Sequence, residues 1–288
     1  MKVQSLSVCV PTGECVNHCA FCVSRMHHED YPNKMSNSNP YFDLYEKDYI
    51  RRLEFARDNG CNTVMLTGTA EPQQNLTFLR EFGTMNQNLS SPFRWIEIQT
   101  TGVLMDRNVL RLLRNHVGVS TISLSISSFN SEENMLNNGT PVNHMVKILD
   151  FCSLVKEYGF NLRLSLNMTN CFEKQGLDLV LRNIRLCLAD QVTFRRLYVQ
   201  EGTPQGDWIK KNACSREFLD RLETHILNNG KRLGILEYGQ EQWSYDNASY
   251  VFDRDCMAKD QKEAMKYLIL RPNARLYSKW DDSASLVF

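Results

Sequence analysis

The sequence carries no net charge, with 33 basic and 33 acidic residues, so no global field draws the chain to nucleic acid or to an anionic membrane. It has no Gly/Ser or Pro tract and no internal repeat, and 42% of its residues are apolar, which excludes a disordered chain or a solenoid. Long hydrophobic runs are missing too. The opening stretch "MKVQSLSVCVPTGEC" is too short in apolar residues for a signal peptide, and nothing approaches a membrane span, so a soluble, cytoplasmic protein is expected. At 288 residues one compact body with a sizeable core is expected.

Cysteine is the residue that is present in excess. Of ten, seven (Cys9, Cys61, Cys152, Cys171, Cys187, Cys214 and Cys256) are scattered with no C-x-x-C among them, and several sit in apolar surroundings, where a buried thiol acts as a small hydrophobe. The other three, Cys15, Cys19 and Cys22, fall within eight residues, "CVNHCAFC". Without an export signal a disulfide is disfavoured, and clustered thiols point to metal or redox chemistry. Structural zinc would need a distant fourth ligand, for which His18, His27 and His28 are candidates. A [4Fe-4S] cube suits three thiolates better, because it leaves one iron open to bind something else.

Around this loop the chain alternates strand and helix patterns. "SLSVCV", "NTVMLTG", "RWIEIQTTG", "STISLSISS", "NLRLSLNMT" and "VTFRRLYVQEG" read as strands. Helical spacing marks "DLYEKDYIRRLEFARDNG", stopping at Asn59-Gly60; "DRNVLRLLRNHVG", capped by Asp106 and stopping at Gly118; "VNHMVKILDFCSLVKEYG"; "LDLVLRNIRLCLAD"; and "SREFLDRLETHILNNG", capped by Ser215. Six strand–helix units imply parallel strands with right-handed crossovers.

Two strands decide what kind of sheet this is. Ile122, Leu124 and Ile126 alternate with Ser123, Ser125 and Ser127, and Leu162, Leu164 and Leu166 alternate with Arg163, Ser165 and Asn167. Parallel strands with helices on both faces read as continuous apolar runs. Alternation predicts helices on one side only and a barrel whose polar lumen holds a ligand. An antiparallel sheet with one wet face is the alternative. Past residue 232 the pattern loses its period, except that "KYLILRPNARLYSKW" reads as two strands around Arg271–Ala274, so a capping tail is expected.

The C-x3-C-x-aromatic-C loop after a first strand, with Phe21 as the aromatic, resembles the radical S-adenosylmethionine (SAM) superfamily. The likeness runs over about residues 5 to 205. "TGTAEP" stands where the family has Gly-Gly-Glu-Pro, "QTTG" is similar to its Thr-Asn-Gly, and strand four carries "SISSF". The resemblance implies an α/β fold, a partial (β/α)6 barrel core over residues 1–205, with residues 206–288 supplying the last helix and a C-terminal capping segment of the same body. It implies a cluster on Cys15, Cys19 and Cys22 that reductively cleaves SAM to a 5′-deoxyadenosyl radical, which abstracts a hydrogen atom from the substrate. A flavodoxin- or ferredoxin-type electron donor is implied as partner. Thr69, Ala70 and Glu71 would receive the amino group of SAM, and Ser125, Asn167 and Arg163 would reach its ribose or carboxylate. Thr69 and Ala70 replace two glycines, which requires either no positive φ there or a different grip.

"SISSFNSEENMLNNG" looks most like the branch that contains viperin and the molybdopterin-precursor cyclase, which implies a small polar or nucleotide-like substrate. Peptide modification is the alternative, and an iron-sulfur carrier or zinc module the non-enzymatic one. With only Cys256 after Cys214, neither the second cluster of the cyclase nor a SPASM extension is expected. Arg195, Arg196, Lys34, His27 and His28 are further anion-contact candidates, and Tyr198 is expected to pack. An inward Arg163 needs an anionic partner: the SAM carboxylate, a substrate anion, or an internal acid such as Glu97 or Glu201.

Overall fold

The computed structural model of the chain describes residues 2–26, 45–236, 240–254, 264–280 and 282–288. His27, His28, Lys34 and Cys256 lie outside these residues. One sheet of eleven described strands organises everything else. Six parallel strands run in sequence order: β1 (Lys2–Cys9), β2 (Thr63–Thr67), β3 (Trp95–Thr100), β4 (Thr121–Ile126), β5 (Asn161–Asn167) and β6 (Gln191–Arg195). β10 (Ala264–Leu270) adds in parallel beyond β1 and carries the antiparallel β11 (Leu276–Tyr277). Beyond β6, β9 (Ala248–Asp253) pairs in parallel, followed by the antiparallel β8 (Glu241–Tyr245) and β7 (Lys231–Ile235). The sheet is therefore open, with the tail strands extending both edges.

Alternation along the strands separates two faces as expected. Ile122, Leu124, Ile126, Leu162, Leu164 and Leu166 are all fully buried in one apolar cluster with Leu66, Ile98 and Phe194. Helices supply its other wall: α2 (Glu46–Asp58) through Tyr49 and Leu53, α3 (Leu76–Gln87) through Phe78, Leu79 and Phe82, and α6 (Ile148–Glu157) through Phe151 and Val155. Here α1 (Val23–Met26) is a short turn after the cysteine loop, α4 (Arg107–Leu112) follows β3 and α5 (Ser131–Asn137) follows β4. Each fully buried Leu or Phe on this face contributes roughly 1.5–3 kcal/mol. The opposite, concave face carries Glu97, Gln99, Ser123, Ser125, Arg163, Ser165, Asn167, Gln191, Thr193 and Arg195, aligned strand to strand by the register.

Start and stop signals behave as their chemistry requires. Asp106 accepts from the backbone N–H of Asn108 and Val109, each at 2.8 Å, to open α4, and the helical stretch ends at Gly118 with φ 80°. Beyond β5 lie α7 (Asn170–Gln175) and α8 (Leu177–Leu186); beyond β6, α9 (Pro204–Asn212) and α10 (Arg216–Asn229), the last opened by Ser215. Three further helices, α3, α5 and α9, are opened by Asn75, Asn130 and Thr203 side chains. Strand six is shorter than expected, because Leu197, Tyr198 and Val199 leave the sheet to pack with Phe21, Trp208 and Ile209. The stretch without visible period contains the β8–β9 hairpin, turned at Asp246 and Asn247 with φ 48° and 64°, a left-handed pair suited to a tight hairpin without glycine.

Candidate active site

The loop between β1 and α1 stands at the C-terminal ends of the parallel strands, where open α/β sheets place their ligands. Cys15, Cys19 and Cys22 are all free thiols and half-buried. They lie within electrostatic reach of one another: burial raises the Cys19 thiol well above its ordinary value, Cys22, Glu71 and Cys15 add to that, and Arg25 opposes it. Burial likewise raises Cys15. Protonated, crowded thiols of this kind are what a bound cationic centre converts to thiolate.

Three other elements hold the loop. Glu71, buried just past β2, accepts from five donors: Asn17 Nδ2 at 3.2 Å, Gln73 Nε2 at 2.8 Å, Thr100 Oγ1 at 2.6 Å, Thr101 Oγ1 at 2.8 Å and the Thr101 backbone N–H, shared between both carboxylate oxygens at 3.2 and 3.1 Å. Asn17, between the first two cysteines, also donates to Thr101 Oγ1 at 2.8 Å and accepts from Thr140 Oγ1 at 2.8 Å. Gln74 bridges the loop entrance, accepting from the Val16 N–H at 3.0 Å and donating to the Glu14 carbonyl at 2.9 Å. On the far side the turn after α5 takes the loop backbone: His18 N–H donates to the Asn138 carbonyl at 3.0 Å and Ala20 N–H to that of Asn137 at 3.0 Å. Gly139, at φ 54°, is indispensable here, since a Cβ would sit 2.5 Å from the His18 carbonyl oxygen.

Each residue expected at the site has a definite place. Thr69 and Ala70 form the bend after β2; neither is in the left-handed region, which answers the question posed by the two missing glycines. Thr69 Oγ1 is buried with no hydrogen-bond partner. Glu71 faces the loop, but its lone pairs are engaged internally, so its carboxylate ties the cysteine loop to the end of β3. Ser125 and Asn167 meet on the concave face, Asn167 Nδ2 donating to Ser125 Oγ at 2.9 Å. Arg163 also faces inward, yet its partner is internal: Nη1 lies 2.5 Å from Glu97 Oε2, and Nε donates to Gln191 Oε1 at 2.7 Å. The structure thus brings together the three cysteines with Glu71 and, separately, Ser125 with Asn167, and sets Arg163 lower in the sheet. Tyr198 packs near Phe21 and Cys19 and donates to Gln200 Oε1 at 2.8 Å. Asn17, Gln74, Thr101 and Asn137–Thr140 were not foreseen, although "QTTG" and the Asn-Gly turn of "LNNGT" mark their positions.

Residues 9–174, more than half of the chain, match the family model described as the radical SAM superfamily. The chain belongs to that superfamily. It is a radical SAM enzyme, and its cofactors are a [4Fe-4S] cluster and SAM. No curated protein sequence matches it. Among solved structures, native anSMEcpe with bound AdoMet superimposes with a TM-score of 0.62 at 15% identity, over 97% of this chain and 75% of that one. The same protein with bound AdoMet and a Cp18Cys peptide gives 0.53 at 13% identity, over 79% and 60%. Methylornithine synthase (PylB) gives 0.52 at 19% identity, over 76% and 60%. At these identities the likenesses establish the fold, a parallel α/β sheet of partial-barrel type.

The residues present fit the cofactors. Three free thiols share one loop, a buried hydroxyl at Thr69, at the bend after β2, lacks a partner, and the concave face offers hydroxyls and amides. Among the described residues no three His, Cys, Asp or Glu side chains converge on a point for a single ion, whereas a cube takes its thiolates at separate irons. No described helix is long and apolar enough to cross a membrane.

Proposed function

We propose that Cys15, Cys19 and Cys22 each ligate one iron of the cluster, and that the chain acts on a small polar or nucleotide-like substrate held in the concave face of the sheet. The observation that carries this reading is that three free, half-buried thiols share one loop, which Asn17 ties to the Glu71 corner at the strand ends. When bound, the reduced cluster supplies the electron that cleaves SAM to methionine and a 5′-deoxyadenosyl radical, which takes a hydrogen atom from the substrate. The chain supplies the rest. Backbone carbonyls and the free hydroxyl at Thr69-Ala70 would receive the SAM amino group, with Glu71 fixing that bend against the loop. Ser125 and Asn167, already hydrogen-bonded to each other, would hold the ribose. Polar side chains of the lumen would orient the substrate and the helices outside exclude water. Arg163 is left out of the cofactor set because Glu97 and Gln191 occupy it.

Within the superfamily we infer the branch containing viperin and the molybdopterin-precursor cyclase, supported by the segment from Ser125 to Gly139, whose last turn clasps the cysteine loop. Only Cys256 follows Cys214 in these 288 residues, which supports the absence of a second cluster. A flavodoxin- or ferredoxin-type donor would deliver the electron. The nine described cysteines are all free, in keeping with a reducing, cytoplasmic setting. Peptide modification is the second reading, favoured by the open sheet, which leaves the lumen accessible from the side. The test is anaerobic reconstitution with iron and sulfide followed by reduction with dithionite in the presence of SAM. Formation of 5′-deoxyadenosine is expected, and its absence in protein that carries its cluster would refute the enzyme reading.

A further inference from the structure

Two arginines project from neighbouring strands into the concave face, and they are held very differently. Arg163 is engaged at both Nη1 and Nε. Arg195, the last residue of β6, has a buried Nε with no hydrogen-bond partner, and its nearest acid, Asp253 Oδ2, is 3.8 Å away. Asp253 is itself buried and accepts from Gln240 Nε2 at 2.8 Å. Leaving a buried guanidinium N–H unmatched is costly, whereas the planar fork of arginine matches a carboxylate or phosphate at two points.

Position gives this a meaning. Phe194 turns into the apolar core, so Arg195 turns to the concave side, where its register partners are Asn167 on β5 and Asp253 on β9. Two residues further on, Leu197 packs in one cluster with Phe21 and Cys19 of the cysteine loop. Arg195 therefore stands at the rim between that loop and the Ser125–Asn167 pair. In sheet order it is four strands from β2, whose end carries Thr69–Glu71, where the methionine end of SAM is expected.

We propose that Arg195 is the subsite for an anionic group of the substrate, a carboxylate or a phosphate, taken up beside Asn167 at the mouth of the lumen. This rests on the reading of the site as a radical SAM centre, and it narrows the substrate class to molecules bearing such a group. Asp253 limits the pull of the guanidinium without closing it off.

The test titrates cluster-loaded, SAM-saturated protein with inorganic phosphate and with acetate by calorimetry. Arg195→Gln is expected to weaken binding of at least one anion by about tenfold or more, Asp253→Asn to tighten it, and Arg111→Gln, on the exposed side of α4, to leave it unchanged. The affinity for SAM itself should change less than about twofold in Arg195→Gln. Equal anion binding by Arg195→Gln and wild type, or no binding of either anion by wild type, overturns the proposal. So does a loss of about tenfold or more in SAM affinity, which would assign Arg195 to the cofactor carboxylate. Should Arg195→Gln lose its fold, wild-type protein is modified with phenylglyoxal and mapped by mass spectrometry: phosphate or acetate should slow reaction at Arg195, and no protection by either anion overturns the subsite. Measuring 5′-deoxyadenosine in the same preparation separates the two readings, since a wild type that forms none refutes the radical chemistry while the anion titration still decides Arg195.

Discussion

The base and the mouth of the concave face use the same residue types for different ends. At the base, Glu97, Arg163 and Gln191 close on one another across β3, β5 and β6 with contacts of 2.5 and 2.7 Å. At the mouth, four residues further along β5 and so about 13 Å higher, Arg195 is loosely paired, Thr69 has an unmatched hydroxyl, and three thiols share a loop. The charges at the base satisfy each other and hold the strands in register. Those at the mouth are left with unused bonding capacity, and in a parallel sheet that is where a ligand is received.

The comparison breaks most severely at the thiols. Cys15→Ala, Cys19→Ala or Cys22→Ala should abolish the visible absorption of the cluster and take iron from about four per chain to near zero, while Cys256→Ala should not. At the base, Arg163→Met leaves Glu97 buried and unpaired. The expected cost is about 2–4 kcal/mol by urea unfolding, moderated because the arginine is itself a third exposed, with SAM affinity unchanged. A fall in SAM affinity without loss of stability would erase the distinction between base and mouth.

The clasp gives smaller effects. Thr101→Val removes one hydroxyl from Glu71 and from Asn17, worth about 1–3 kcal/mol locally, and Gly139→Ala presses on the His18 carbonyl. Both should lower the iron retained through gel filtration and shift the electron paramagnetic resonance lines of the reduced cluster, more than they lower the melting temperature. Glu71→Ala should do the same, because all its described hydrogen bonds are internal ones.

The smallest effect is a pH dependence. Burial raises the Cys15 and Cys19 thiols in the folded iron-free protein, so the folded state holds protons that the unfolded state releases. Their contribution to stability is present below the unfolded thiol value of about 8.5 and is lost as pH rises beyond it. Cluster-loaded protein, with these sulfurs already thiolate, should lose less stability than iron-free protein between about pH 8 and 10 when thermal unfolding is followed at each pH.

Much of this was legible because local chemistry dictated it. Period-two alternation in "TISLSIS" and "NLRLSLN" fixed which face the helices cover, and Asp106, Gly118 and Ser215 marked helix ends where side-chain caps and a left-handed glycine are found. The cysteine spacing marked the loop. What stayed hidden depends on contacts between distant residues. That Glu71 would be taken up by Asn17 and Thr101 and that Leu197 would abandon β6 for Phe21 are tertiary outcomes with no local pattern, and for Arg163 the strand pattern offered Glu97 as one of several anionic partners without choosing it. The β8–β9 hairpin was missed for a different reason: its turn uses Asp246-Asn247 where glycine is the usual signal.

The central claim is that the three thiols leave one iron open to SAM at the Glu71 corner. It is tested most directly by recording the electron paramagnetic resonance spectrum of the dithionite-reduced, anaerobically prepared protein with and without saturating SAM. A [4Fe-4S] spectrum whose lines shift on adding SAM, and which is absent from Cys19→Ala, is the predicted result. A spectrum indifferent to SAM, or protein that carries zinc in place of iron, would contradict it.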